Sequence, residues 1–202
     1  MDVLQALEAR RSVKNFDPAY EMPGAHRDEI LRLAALSPSA FNLQHVRYVV
    51  LDDPALRQTL RDASFGQPQV TDASLLVAVC AKLSAWREDA ARCWRHLDEP
   101  ARSGLVGTIT GFYEGDEQLQ RDEALRSCGL AAQSLMLAGQ GLGYESCPMD
   151  GFDFAVVSRL INLPGDHLLS MFVALGKARE PARPRGGKLP RGEVVVENRF
   201  PE

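Results

Sequence analysis

The feature that most constrains the fold is a long apolar periodicity between Gln118 and Gly139. Apolar residues recur there at intervals of three and four positions: Leu125, Cys128, Ala132 and Leu135. This spacing predicts a helix. From Leu130 onward almost every position is apolar or small, so the helix must be buried on most of its sides. We expect it in the core of the chain, with small residues that also allow a second subunit to approach closely.

Shorter segments predict a sheet and further helices around this helix. Strands are predicted from apolar runs of strand length, at residues 47–51, 75–81, 144–147 and 168–175. Helices are predicted at residues 2–9, 26–36, 53–62 and 154–160. Parallel and antiparallel pairings of the strands fit these patterns equally well. The sequence therefore predicts an α+β fold, and we expect residues 1–202 to form one domain.

Three other regions have distinctive compositions. Residues 84–97 pattern as an amphipathic helix, and the glycine-rich residues 104–115 predict a mobile segment. Residues 180–190 are rich in Pro, Gly and positive charge, which is untypical of a core element. Val194–Val196 follow as a candidate strand. An extended C-terminal arm that docks elsewhere reconciles these two features.

Charge and composition exclude several classes of function. Lys and Arg number 23 against 27 Asp and Glu, a net charge of −4, so no general positive field attracts nucleic acid or an anionic membrane. No apolar run approaches the roughly 20 residues of a membrane-spanning helix. The N-terminus lacks the pattern of a signal peptide, which predicts a cytoplasmic protein. The four cysteines and four histidines show no metal-ligand spacing, and we expect no metal site.

Any anion site must therefore be local, and two clusters could provide one. The first is Arg10, Arg11, Ser12 and Lys14, and the second is Arg183, Arg185 and Lys188. Guanidinium groups match phosphate oxygens in a bidentate arrangement, and a serine hydroxyl adds a directional donor. A solvated charged surface accounts for the same residues when charge alone is considered.

Three turn-rich segments carry polar groups suited to a heterocyclic ligand. They are residues 37–44 (SPSAFNLQ), 66–69 (GQPQ) and 148–153 (PMDGFD). Each segment alone is also explained by ordinary turn structure. The glycines at 139–143 follow a helix and precede a strand, the reverse of the dinucleotide-binding order, so they are better explained as a helix end.

Taken together and in this order, these elements resemble the FMN-dependent nitroreductase family over nearly the whole chain. The resemblance rests on residues 10–16, 37–44, 66–70, 128–133, 141–143 and 148–152 and on the basic tail. It implies a central mixed or antiparallel sheet flanked by helices. It also implies a homodimer with a swapped C-terminal arm, in which each flavin site is built across the interface.

The resemblance also implies which residues bind FMN. They are Arg10, Arg11, Ser12, Lys14, Pro38, Ser39, Ala40, Asn42, Gln67, Gln69, Met149, Asp150, Gly151, Arg185 and Lys188. Arg10 would lie near the phosphate and Lys14 at the pyrimidine edge, where its charge makes it the candidate catalytic residue. The backbone around Asp150 would face N5. Pro38–Asn42 would come from the second subunit. Which of Arg183, Arg185 and Lys188 contacts the phosphate stays open.

The implied activity is NAD(P)H oxidation coupled to reduction of a small acceptor, such as a nitroaromatic or a quinone, by a ping-pong hydride mechanism at flavin N5. One alternative is an FMN-binding storage or sensing protein without efficient turnover. Another is a specialised member in which residues 85–115 shape the pocket. The candidates to line that pocket are Trp86, Trp94, Phe112 and Tyr113, although core packing explains these four residues equally well.

Overall fold

Four apolar segments pair into one antiparallel sheet at the centre of the computed structural model, which describes residues 2–200. The strands are β1 Val46–Val50, β2 Leu75–Lys82, β3 Glu145–Met149 and β4 His167–Gly176. Their order across the sheet is β1-β2-β4-β3, and every neighbouring pair is antiparallel. The pairing that the sequence left open is thus antiparallel throughout, and the predicted α+β class is confirmed.

Helices cover both faces of this sheet. They are α1 Val3–Ala9, α2 Gly24–Ala34, α3 Pro54–Ala63, α4 Gln69–Asp72, α5 Ala85–Glu88, α6 Ala90–Cys93, α7 Glu99–Tyr113, α8 Glu117–Gly141, α9 Phe154–Leu160 and α10 Arg191–Val194, with a 3₁₀ turn at Ala40–Asn42. Among residues 2–200, no helix is long and apolar enough to cross a bilayer.

The inner strand β2 has apolar residues on both of its faces. Leu76, Ala78 and Cys80 pack into the layer formed with α3, α4 and α9, and the alternate residues, such as Val77, pack towards α2 and α8. A strand buried on both faces needs an uninterrupted apolar sequence. This is why the segment at 75–81 was recognisable as a strand.

The long helix α8 confirms the prediction made from its periodicity. Cys128, Ala132 and Leu135 are buried against the sheet, and the Asp116 carboxylate caps the N-terminus by accepting from the Leu119 amide at 2.8 Å. At Gly139 a side-chain carbon would collide with Leu175 of β4. The helix therefore approaches the sheet at a distance that only glycine allows there.

Two of the predicted segments have a different secondary structure from the one expected. Instead of one helix over residues 84–97, the chain forms the two short helices α5 and α6. They are separated by Asp89, whose buried carboxylate accepts hydrogen bonds from Lys82 and Arg47. Residues 104–115 were predicted as a mobile segment from their glycines, and residues 104–113 of it lie in the helix α7. Their apolar positions Ile109 and Tyr113 are buried four residues apart, and this spacing decides the conformation.

The C-terminal arm is extended and exposed from residue 183 onward. The predicted strand at Val194–Val196 is wrong for this chain. Val194 ends the short helix α10, and the next two residues pair with none of the four strands. A strand exists only through backbone pairing, so β-branched composition alone does not form one.

Candidate functional site

The segment after α1 is fixed to the edge of the sheet by its backbone. The Val13 amide donates to the Ser146 carbonyl of β3 at 3.0 Å, and Phe16 pairs with Ala178 just after β4. Val13 and Phe16 are buried, while Ser12 and Lys14 are exposed. This alternation leaves the Ser12 hydroxyl and the Lys14 ammonium group accessible at this edge of the sheet.

Lys14 is connected through the sulfur of Cys147 to the two glutamines that the sequence predicted for the site, Gln69 and Gln67. Its Nζ lies 3.6 Å from Sγ of Cys147, and Nε2 of Gln69 lies 3.9 Å from the same sulfur. Gln69 also donates to Oε1 of Gln67 at 3.3 Å, and Gln67 donates to the Gly151 carbonyl at 2.8 Å. The structure thus brings together Lys14, Gln67, Gln69 and Gly151, which lie far apart in the sequence.

A tight turn presents the two glutamines. Phe65 and Gly66 adopt left-handed conformations with φ of 56° and 73°, and the next residues enter the short helix α4. Left-handed backbone is costly for a residue with a side chain, so such a turn needs support from its surroundings. Nε of Arg61 provides it by donating to the Gly66 carbonyl at 3.2 Å.

The basic tail meets the N-terminal cluster through backbone carbonyls. Nη2 of Arg185 donates to the Glu8 carbonyl at 2.6 Å and to the Arg10 carbonyl at 2.9 Å. The guanidinium of Arg11 donates to the Arg183 carbonyl. Lys188 is exposed and forms no hydrogen bond or ion pair with residues 2–200. Of the three tail cations, Arg185 is the one whose side chain contacts this cluster.

Residues Pro38–Asn42 lie in a separate, conformationally strained loop. Phe41, Asn42 and Gln44 all have positive φ, at 50°, 52° and 49°. The Ser39 hydroxyl accepts from the Gln44 amide at 2.9 Å, and the Trp94 indole donates to the Phe41 carbonyl at 2.8 Å. These two hydrogen bonds hold a loop that leads directly into β1.

The two groups of predicted site residues do not meet within one chain. The loop precedes β1, whereas Lys14 and Gly151 lie beside β3, and these two strands form opposite edges of the sheet. Three strand spacings of about 4.8 Å separate the edges by about 14 Å. No hydrogen bond in the described part of the chain links the two groups.

Most of the remaining sequence candidates are packing residues. Trp86 and Tyr113 are buried together with Leu43 and Ile109 in a separate apolar cluster, Trp94 packs against it, and Phe112 is half-exposed.

Burial raises the pKa of Cys80 and of Cys128 to about 12, so both thiols stay protonated at neutral pH. Neither can act as a nucleophile there.

Two features of the site were missed by the sequence analysis. Cys147 is buried in the core, and its sulfur contacts Lys14, which the sequence did not indicate. The alternation of buried residues along β3 could have placed Cys147 and Met149 on one face. The other feature is a cleft lined by Arg47, Arg92 and Arg95. The repeated arginines between residues 87 and 102 were its signal.

Comparison with known proteins identifies the family. Residues 7–177 match the model of the nitroreductase family. The chain belongs to this family. Protein DrgA of Synechocystis sp. is 44% identical over 200 residues, which is 96% of this chain and 95% of DrgA. A Thermus thermophilus protein named NADH dehydrogenase is 34% identical over 97% of this chain and 96% of its own length.

A solved nitroreductase-type structure matches the fold closely. It is an Exiguobacterium sibiricum protein in complex with FMN, which is 27% identical, covers 97% of each chain and superposes with a TM-score of 0.87. The nitroreductase-like fold predicted from the sequence is thus confirmed. As a member of the nitroreductase family, the chain is an oxidoreductase.

Proposed function

We propose that this nitroreductase is an FMN-dependent NAD(P)H oxidoreductase that works as a homodimer. One observation carries the proposal: Lys14, Gln67 and Gln69 converge beside β3, where Arg185 from the tail also joins the N-terminal cluster. The FMN bound by the Exiguobacterium sibiricum relative and the name of the Thermus thermophilus relative support the two cofactors.

The chemistry of these side chains fits FMN. A phosphomonoester needs cations and hydroxyl donors, and the cluster offers Arg10, Arg11 and Ser12 beside Arg185. A flavin ring edge presents both hydrogen-bond acceptors and donors, and the amides of Gln67 and Gln69 complement either kind. In this proposal Lys14 lies at the pyrimidine edge, Met149–Gly151 lie near N5, and Lys188 closes on the phosphate.

Bound FMN supplies two-electron chemistry, accepting a hydride from NAD(P)H and delivering electrons to an acceptor. The chain contributes position and charge. Lys14 keeps a positive charge where negative charge develops on reduction, which favours that step by Coulomb attraction in a partly dry site. NAD(P)H and the acceptor use the same place in turn, which gives ping-pong kinetics. Nitroaromatics and quinones are the proposed acceptors.

The remaining predicted ligands require a second copy of the chain. Pro38, Ser39, Ala40 and Asn42 lie at the opposite edge of the sheet, so in this proposal they complete the partner's flavin site. Exposed apolar side chains support such an interface: Leu4 of α1 is 69% exposed and Leu130 of α8 is 48% exposed. The exposed arm beyond Lys188 would extend onto the partner, with residues 1–202 acting as one domain.

Steady-state oxidation of NADH and NADPH by the purified protein, with menadione or nitrofurazone as acceptor, tests the proposed activity. We expect acceptor-dependent consumption and parallel lines in double-reciprocal plots, the signature of ping-pong kinetics. A yellow protein that binds FMN but does not turn over would instead favour storage or sensing. A protein that neither binds FMN nor oxidises NAD(P)H would contradict both functions.

A further inference from the structure

Two neighbouring clefts beside the Pro38–Gln44 loop form one arginine-lined groove. The first has a volume of about 390 Å³ and is lined in part by Gln44, Arg47, Arg92 and Arg95. The second has a volume of about 750 Å³ and contains Arg92, Arg95, Arg102 and Ser103. Both are lined by Arg92 and Arg95, so the two clefts are adjacent. We call this surface the arginine groove.

The carboxylates in the arginine groove are already engaged by its own cations. Asp89 accepts hydrogen bonds from Arg47 at 3.1 Å, from Lys82 at 3.0 Å and from Arg92 at 2.7 Å. Glu99 is paired with Arg102. Arg95 forms no hydrogen bond or ion pair with any residue between 2 and 200. The groove is thus a local positive surface on a chain whose net charge is −4.

The groove is connected to the loop that we propose to contact the flavin. Leu43 and Gln44 line the first cleft directly after the Pro38–Asn42 segment. Trp94, between the two shared arginines, donates its indole N–H to the Phe41 carbonyl of that loop. A ligand in the groove is therefore adjacent to residues proposed for the flavin site.

We propose that the arginine groove binds the diphosphate of the reduced pyridine nucleotide. The inference rests on the proposed function, since it assigns a binding site to one of its two reactants. Guanidinium groups pair with phosphate oxygens in a bidentate arrangement. The volume of each cleft lies within the range of about 300–1,000 Å³ that is typical of clefts for small ligands. The arginines should not increase the affinity for small uncharged acceptors, which have no anionic group to pair with them.

Substitution of the unpaired arginine tests the groove by kinetics. We expect Arg95→Gln to raise the KM for both NADH and NADPH by about tenfold or more, the loss expected for one charge-assisted hydrogen bond. The KM for menadione should stay the same. Arg121→Gln is the matched control, because Arg121 is also exposed but lies on α8 outside the groove. It should alter neither KM.

The pattern of KM changes shows which anionic group binds in the arginine groove. An equal rise for both nucleotides supports the diphosphate, which they share. A rise for NADPH alone would overturn that assignment in favour of the 2′-phosphate, and a rise only for an anionic acceptor such as p-nitrobenzoate would overturn the nucleotide assignment. Unchanged KM values in an active enzyme would overturn the groove inference and leave the proposed function intact.

A binding measurement separates the inference from catalysis. Calorimetric titration of the purified protein with ADP should show binding that Arg95→Gln weakens by a similar factor and that Arg121→Gln preserves. The binding should also weaken as ionic strength rises. Absence of ADP binding to the unsubstituted protein would overturn the groove inference, whereas absence of FMN would overturn the proposed function.

Discussion

At the scale of single residues, Lys14 is the side chain on which the proposed chemistry most depends. Two neighbours fix its position. Val13 is buried and its amide is hydrogen-bonded to β3, and the sulfur of Cys147 lies 3.6 Å from Nζ of Lys14. The sequence identified Lys14 through the resemblance to the family. It could not show the contact with Cys147, because that pair is separated by 133 positions.

Replacing Lys14 with Met should slow reduction of the flavin more than it weakens FMN binding. The substitution keeps an unbranched side chain that is one atom shorter, and it removes the charge. We expect reduction about tenfold slower, since about 1.4 kcal/mol of lost stabilisation changes a rate by one order of magnitude. Stopped-flow measurement of NADH-dependent bleaching tests this, with Lys14→Arg as the charge-preserving control. Reduction at the unsubstituted rate would reject the electrostatic role.

Asp89 is a second residue whose environment makes a prediction. Burial alone would raise the pKa of its carboxyl, but hydrogen bonds and charges from Lys82, Arg92 and Arg47 outweigh burial and hold the pKa below its usual value. A lowered pKa in the folded state stabilises the fold above the pKa of the unfolded chain, about 3.9. That stabilisation is lost as the pH falls through the lowered value.

Asp89→Asn should therefore lower the free energy of unfolding by about 1–2 kcal/mol at pH 7, since it leaves several cations without a partner, some of them exposed to water. Urea unfolding measured at several pH values tests this. The difference between the two proteins should shrink below about pH 4 as Asp89 becomes protonated. Asp28→Asn is the control, because that side chain is 74% exposed. A difference that does not depend on pH would contradict the ionic role.

At the scale of elements, α7 and α8 show how glycine acts differently in two helices. A side-chain carbon at Gly104 of α7 would meet no atom within 4 Å, whereas one at Gly139 of α8 would meet Leu175. Alanine is favoured over glycine in a helix interior by about 1 kcal/mol. The effect of the same substitution should therefore differ in sign between the two helices.

We expect Gly104→Ala to stabilise the protein by about 0.5–1 kcal/mol, and Gly139→Ala to destabilise it by about 1–3 kcal/mol through overpacking. Thermal unfolding followed by circular dichroism compares the two variants, each serving as the other's control. If both substitutions stabilise the protein, α8 does not lie as close to β4 as described.

The same elements show what the sequence could and could not predict. The strands β2 and β4 were recognisable because a doubly buried strand must be continuously apolar. The ion pairs of Asp89 between α5 and α6 were not recognisable, because only the folded chain brings Arg47 of β1 and Lys82 of β2 near its carboxylate. The glycines of α7 obscured its helical pattern in the sequence, in which Ile109 and Tyr113 are the buried pair, four positions apart.

At the scale of the whole molecule, the candidate site is divided between opposite edges of one sheet. The resemblance to the family predicts both the candidate segments and their division between two subunits, whereas the residues alone do not show whether one chain or two unite them. Within one chain, the fold keeps the two groups of candidate residues apart. Lys14 beside β3 and Asn42 before β1 lie at edges about 14 Å apart, so we expect two copies to combine them.

Sedimentation velocity of the purified protein, recorded at the protein absorption band and at the visible band of oxidised flavin, tests this claim most directly. The account predicts a single dimeric species that carries the visible absorption, with one FMN per chain and a released chromophore whose mass is that of FMN. A colourless monomer that takes up no added FMN would contradict it.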